Sequence, residues 1–149
     1  MEKKLPKIAQ TKDGEQHFSV GALIWQNNKL LIMERKLPPD GFACVAGHVD
    51  ERETALEALK REVKEETNLD VIACELILKQ KIVQKDNCIF GAKKHFWYVY
   101  NARCSGELKP SIYEVGRIQY FSKKKIKNLY KHKKLDYAWM VIFKKLGII

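Results

Sequence analysis

The chain has 149 residues, 46% of them hydrophobic, enough for one compact domain with its own core. It contains no run of about 18 apolar residues, which argues against a helical membrane span, and no linker, repeat or low-complexity segment divides it. Lys and Arg number 28 against 18 Asp and Glu, a formal charge of +10 that favours encounter with anionic ligands, RNA included, without specifying one.

Residues 1–16 are mostly polar and lack the hydrophobic core of a secretory signal, so the expectation is a cytoplasmic protein with one domain over residues 17–149. Residues 18–26 read as a strand, Asn27-Asn28 as a tight turn, and residues 29–34 as the returning strand. Leu30, Leu31, Ile32 and Met33 run on without alternation, which predicts a strand covered on both faces. Arg35 and Lys36 close that strand. Residues 37–41, Leu-Pro-Pro-Asp-Gly, form a rigid, turn-prone connection. Phe42 follows it, either as a loop anchor or as a surface for a nucleobase. Cys44, Cys74, Cys88 and Cys104 have no metal-binding spacing and read as reduced packing residues.

The stretch from Gly47 to Leu69, GHVDERETALEALKREVKEETNL, is the centre of the sequence. A glycine turn is expected after the apolar run before it. Thr54 and Glu57 have capping-box spacing for a helix. Ala55, Leu56, Leu59 and Val63 give that helix an apolar side, and Asn68 suits a left-handed residue at its end. Glu62, Glu65 and Glu66 stand at i, i+3 and i+4, so their carboxylates converge on one face. A hard divalent cation relieves their repulsion, and an all-oxygen donor set points to Mg²⁺ or Mn²⁺ rather than zinc. Arg61 and Glu53 can pair to tie the preceding loop to the helix. The same charges also suit an ordinary solvated helix face.

Residues 71–84 contain one or two strand-like segments, and residues 85–87 suggest a turn. Residues 88–100 form a strong strand signal in which His95, Trp97 and Val99 share one face and Phe96, Tyr98 and Tyr100 the other. Trp97 is a candidate for base stacking, or else a packing residue. Residues 101–110 are turn-rich. A strand over residues 118–121 leads to Ser122, a helix cap, and a lysine-rich helix. Asp136 interrupts or restarts the helical pattern, residues 138–146 pack onto the domain, and Gly147 stops it. The lysines fit either a solvated face or a polyphosphate or RNA contact.

The central stretch resembles the Nudix box, G-x5-E-x7-R-E-U-x-E-E-x-G-U with U apolar. Gly47, Glu53, Arg61, Glu62, Val63, Glu65, Glu66 and Leu69 match it, and Asn68 stands where Gly is usual. The resemblance implies an α/β/α sandwich with a mixed central sheet and a metal-dependent hydrolase of nucleoside diphosphate-linked substrates. It implies Glu65 and Glu66 as central ligands of Mg²⁺ or Mn²⁺, Glu62 as a further ligand or water base, and the Gly47 carbonyl as completing a shell. Arg61 and Glu53 would orient these groups. It also implies a phosphate contact from Arg35 or Lys36, and an extra downstream glutamate for metal binding or base catalysis, Glu114 ahead of Glu107. A nucleoside triphosphate pyrophosphohydrolase leads the substrate classes. The alternatives are an ADP-ribose or dinucleoside polyphosphate hydrolase and an RNA decapping or RNA-binding regulatory domain, as monomer or homodimer. Gln84 and Asp86 stand where a Pro or Tyr would have favoured ADP-ribose, dinucleoside polyphosphate or coenzyme A substrates.

Overall fold

The apolar run of Leu30, Leu31, Ile32 and Met33 sets the architecture, because successive strand residues face opposite sides and all four are almost sealed from water. In the computed structural model, which describes residues 5–12, 14–36, 41–84, 91–111, 113 and 115–149, Leu30 and Ile32 join one hydrophobic cluster and Leu31 and Met33 another. A strand with two apolar faces requires a layer on each. Those layers are α1 (Ala55–Thr67) on one side, and α2 (Lys123–Lys131) with α3 (Tyr137–Lys145) on the other. The expected α/β/α sandwich is therefore observed.

Between the helices lie β1 (Ile8–Thr11), β2 (Gly14–Leu23), β3 (Trp25–Gln26), β4 (Lys29–Arg35), β5 (Gly41–Ala43), β6 (Val45–His48), β7 (Asp70–Val83), β8 (Lys94–Ser105) and β9 (Val115–Ser122). They form two sheets. In the first, β2 pairs in parallel with β8 along one edge, while β1 and β6 pair antiparallel along the other. β7 runs antiparallel outside β8, with two register shifts along its length. In the second sheet β4 is central, flanked by β9 on one edge and by β3 and β5 on the other.

Several local expectations hold. Asn27 and Asn28 both have positive φ, 51° and 60°, as a two-residue hairpin turn requires. Ser122 caps α2 by accepting from Lys125 N, and Asp136 caps α3 by accepting from Trp139 N. Gly147 follows α3 at φ 70°. Cys44, Cys74 and Cys104 are free thiols.

Other boundaries differ. The polar N-terminal stretch contributes β1, and Lys7 N donates to Val49 O, so main-chain pairing recruits residues that composition assigned to a tail. The strand expected over residues 18–26 is two strands in different sheets, because the chain crosses between them at Ile24. β8 continues to Ser105, through residues read as a connection. Of the connection expected over 37–41, residues 37–40 lie outside the described residues, as do the turn expected at 85–87, Cys88 and Glu114, while Gly41 opens β5. Among the described residues no helix is long and apolar enough to cross a membrane.

α3 seats its fully buried Trp139 directly on β2. A Cβ at Gly21 would lie 2.7 Å from the Trp139 ring, so the glycine admits the indole. Gly21→Ala should cost about 1–3 kcal/mol by overpacking. Combining it with Trp139→Leu should cost less than the sum of the single losses, which urea denaturation of the three variants will test.

Candidate active site

The site is built on α1, whose ends are both secured. Thr54 accepts from Glu57 N at 3.1 Å, and the Glu57 side chain accepts from Thr54 N at 3.3 Å, completing the capping box. At the other end Asn68 is left-handed at φ 68°, with its N–H on Lys64 O. Asparagine is among the residues best suited to this conformation after glycine. Its side chain also gains a bond that glycine would lack, donating to Glu107 O at 3.1 Å. The following loop then covers the helix end: Lys109 N donates to Thr67 O and Ser111 N to Glu66 O.

Arg61 is the hub. Its guanidinium grips Glu53 with two bonds of 2.7 and 2.9 Å, the fork geometry that makes such pairs strong. It also donates to Glu62 at 2.7 Å, to Glu65 at 3.2 Å and to the His48 carbonyl at 2.9 Å, and Asp50 lies 3.5 Å away. Glu53 in turn accepts from Asp50 N, and its carbonyl accepts from Lys7 Nζ. Burial opposes the charge on Arg61, but Glu53, Glu62 and Asp50 outweigh it and raise its pKa above the usual arginine value.

Glu62 and Glu66, one helical turn apart, are 9% and 4% exposed; Glu65 sits at the rim. Gly47 lies in β6, not in the turn expected from its type, and no positive φ explains it. The reason is steric. A Cβ there would fall 2.0 Å from the Glu62 carboxyl carbon, so only glycine lets that carboxylate lie against the strand. Glu62, Glu65 and Glu66 carry hard carboxylate oxygens, the donor type that suits Mg²⁺ or Mn²⁺.

The other sequence candidates divide. Arg35 ends β4 half-buried, and its Nε is buried without a hydrogen-bond partner among the described residues. Lys36 beside it is exposed. Asp136 is within electrostatic reach of Arg35, and burial raises the Asp136 pKa against that opposing cation. Glu107 is at the surface, offering its carbonyl to Asn68. Trp97 is corrected as a stacking candidate: it is 7% exposed and meets Trp139 edge-on at 5.7 Å on the α3 side. The parity that puts Val99 in the core also commits Trp97 there. Phe42 packs against Phe121 as an anchor. Two open surface depressions, one around Leu23, Trp25 and Arg103 and one around Trp25, Asn28 and Lys123, share no residue with the carboxylates.

Sequence reasoning missed a second cluster. His17, His48 and His95 come together from β2, β6 and β8, with ligand atoms within 4.8 Å of one another. Their separations along the chain give no metal-binding spacing; only strand register joins them. Burial, then His95 and His17, then Arg35 and Arg61, bring His48 down to about 3. Burial and His17 bring His95 down to about 4.

Comparison with known proteins bears on the family and the fold. A family model described as the NUDIX domain matches residues 15–140. Dihydroneopterin triphosphate diphosphatase of Escherichia coli K12 is 46% identical over 50 residues, 34% of this chain and 33% of that protein. The match thus spans about a third of the curated relative's length. Among solved structures, a MutT NUDIX hydrolase from Burkholderia pseudomallei aligns with a TM-score of 0.71 at 20% identity, covering 87% of this chain and 96% of that one. The NUDIX domain of Shewanella oneidensis NrtR, complexed with ADP ribose, aligns with a TM-score of 0.68 at 15% identity, covering 87% and 85%.

Arg61→Lys keeps the charge but loses the fork. It should lower stability by about 1.5–3 kcal/mol, the scale of a hydrogen bond to a charged group. Urea denaturation will read this, and an unchanged midpoint would deny Arg61 its role as hub.

Proposed function

The chain belongs to the Nudix family, and from that premise we propose that it is a divalent-metal-dependent pyrophosphohydrolase. Its substrate would be a nucleoside triphosphate or closely related triphosphate, cleaved to the monophosphate and pyrophosphate. The observation that carries this reading is the buried carboxylate face of α1 lying against Gly47 and held by Arg61.

Glu65 and Glu66 are assigned as the central metal ligands, with Glu62 and the Gly47 carbonyl beside them. Bound there, Mg²⁺ or Mn²⁺ would neutralise the pyrophosphate oxygens and acidify a water. Glu62 takes the proton of the attacking water as that oxygen bonds to phosphorus and the bridging P–O bond breaks, releasing pyrophosphate. Glu114 is the second candidate for this proton transfer. Arg61 and Glu53 act by positioning, since small errors of orientation at a reacting centre cost large rate factors. The Arg35 Nε is a buried, charge-assisted donor suited to a substrate phosphate, with Lys36 next to it.

The triphosphate assignment draws support from the partial relative that the name dihydroneopterin triphosphate diphosphatase describes. It widens the aromatic group to pterins as well as nucleobases. The surplus of positive charge favours capture of such polyanions.

The test is product analysis with Mg²⁺ or Mn²⁺ over canonical and oxidised nucleoside triphosphates, dihydroneopterin triphosphate, ADP-ribose, dinucleoside polyphosphates and capped RNA. One triphosphate should yield monophosphate and pyrophosphate. Glu66→Gln should reduce kcat by roughly 10²–10³-fold, as loss of a principal electrostatic group does. Preferred cleavage of ADP-ribose or capped RNA would overturn the triphosphate assignment but keep the chemistry. A folded, Mn²⁺-binding protein that cleaves none of them would overturn both. Gly47→Ala should leave the fold intact, displace the Glu62 carboxylate and bring a comparable loss of kcat.

A further inference from the structure

The two faces of β6 serve different chemistry. Gly47 faces the α1 carboxylates. His48, the next residue, points to the opposite side, as strand alternation requires. On β2, Val20 and Ala22 join the α1-side cluster, whereas Leu23 joins the α3-side cluster and Gly21 meets Trp139. His17 shares the parity of Gly21 and Leu23. On β8, Trp97 and Val99 belong to the α3-side cluster, and His95 shares their parity. His17 and His95 are also register partners in the parallel pair, and His48 pairs with Ser19 two residues along β2. All three imidazoles therefore lie on the side away from α1.

Their geometry is that of a ligand set. The three ring centroids form a nearly equilateral triangle, with sides of 5.3, 5.4 and 5.6 Å. His48 Nε2 and His95 Nε2 are 3.3 Å apart. That is at the long end for a hydrogen bond, since N–H···O bonds are commonest at about 2.9–3.0 Å. It equals the separation of about 3.3 Å between two nitrogens on one tetrahedral zinc with bonds of about 2.0–2.1 Å. His17 is fully buried and His95 is 4% exposed, while His48 is half-buried and opens the cluster to solvent. Glu15 accepts from His17 Nε2 at 3.0 Å and adds an anionic oxygen at the margin. Metal-binding imidazoles commonly carry such an outer carboxylate.

We propose that His17, His48 and His95 form a Zn²⁺-class transition-metal site, separate from the Mg²⁺ or Mn²⁺ site of α1. The charges nearby define its selectivity. Arg35 and Arg61 both disfavour a proton on His48, and Glu15 lies beside His17. Binding must come from nitrogen–metal bonds, which imidazoles offer to borderline ions and not to Mg²⁺. Burial keeps His95 neutral at physiological pH, the form that coordinates. The α1 glutamates are the reverse case, offering oxygen alone. Adjacent residues of one short strand thus sort two kinds of metal to opposite faces.

The experiment is titration of the full chain with Co²⁺ and with Zn²⁺ in excess Mg²⁺, following Co²⁺ visible absorption and Zn²⁺ calorimetry. One equivalent should bind per chain, with the intense d–d bands of a low-coordinate Co²⁺ site. His48→Ala, at the half-buried member, should weaken Zn²⁺ binding by more than the roughly 10–100-fold expected on losing an outer-shell partner. Glu15→Gln should fall within that range. Glu66→Gln should leave Zn²⁺ affinity unchanged. Absence of Zn²⁺ binding by the folded wild-type protein would overturn the proposal. So would binding that survives His48→Ala and is lost in Glu66→Gln, because the ion would then sit among the carboxylates. Neither result depends on hydrolysis, so the pyrophosphohydrolase reading stands or falls separately.

Discussion

Four carboxylates and a carbonyl converge on one guanidinium, and the remainder of the site depends on that convergence. Glu62, Glu65 and Glu66 would repel one another if left to themselves on a single helical face. Arg61 binds two of them and reaches back to Glu53, to the His48 carbonyl and towards Asp50. It therefore joins β6, the following loop and α1 through one rigid, five-donor group. Lysine has a single charged nitrogen on a flexible stem and cannot reproduce this set of angles. The crowding of these carboxylates is thus offset by Arg61.

What could be read from the sequence was mostly what is local in the chain. The capping box at Thr54, the left-handed Asn68 and the Asn27-Asn28 turn depend on residues within one helical turn of each other, and all appear as expected. The doubly apolar β4 also foretold layers on both sides. Features that depend on strand pairing were less legible. Gly47 reads as a turn glycine, yet it is a strand residue fixed by a side chain fifteen positions on. Trp97 reads as a possible ligand surface until Trp139 claims the same face. His17, His48 and His95 have no local signature at all, because their proximity exists only once three strands are in register.

The loop after β8 shows how distant chain is brought to the site. Carbonyls in the last turn of a helix have no partner within the helix. Here the N–H groups of Lys109 and Ser111 satisfy those of Thr67 and Glu66, and Asn68 adds its side chain to the Glu107 carbonyl. The substitution of Asn for Gly in the box consequently strengthens a connection and does not merely tolerate the backbone shape. Val115 N donates to the carbonyl of Ser111, the residue whose own N–H meets the Glu66 carbonyl.

The parallel pairing of β2 with β8 carries a kinetic consequence. It joins the early segment 16–23 to 94–101, with α1 and the whole of β7 between them in the chain. Such remote contacts repay the entropy of loop closure only late, and folds dominated by them acquire their native state slowly. During synthesis β1 can pair with β2 at once, and β6 soon afterwards, whereas the other edge of β2 must wait for β8 to emerge. Until β8 is made, β2 would carry an unsatisfied inner edge, which makes that edge the natural point of risk for misassembly in the nascent chain.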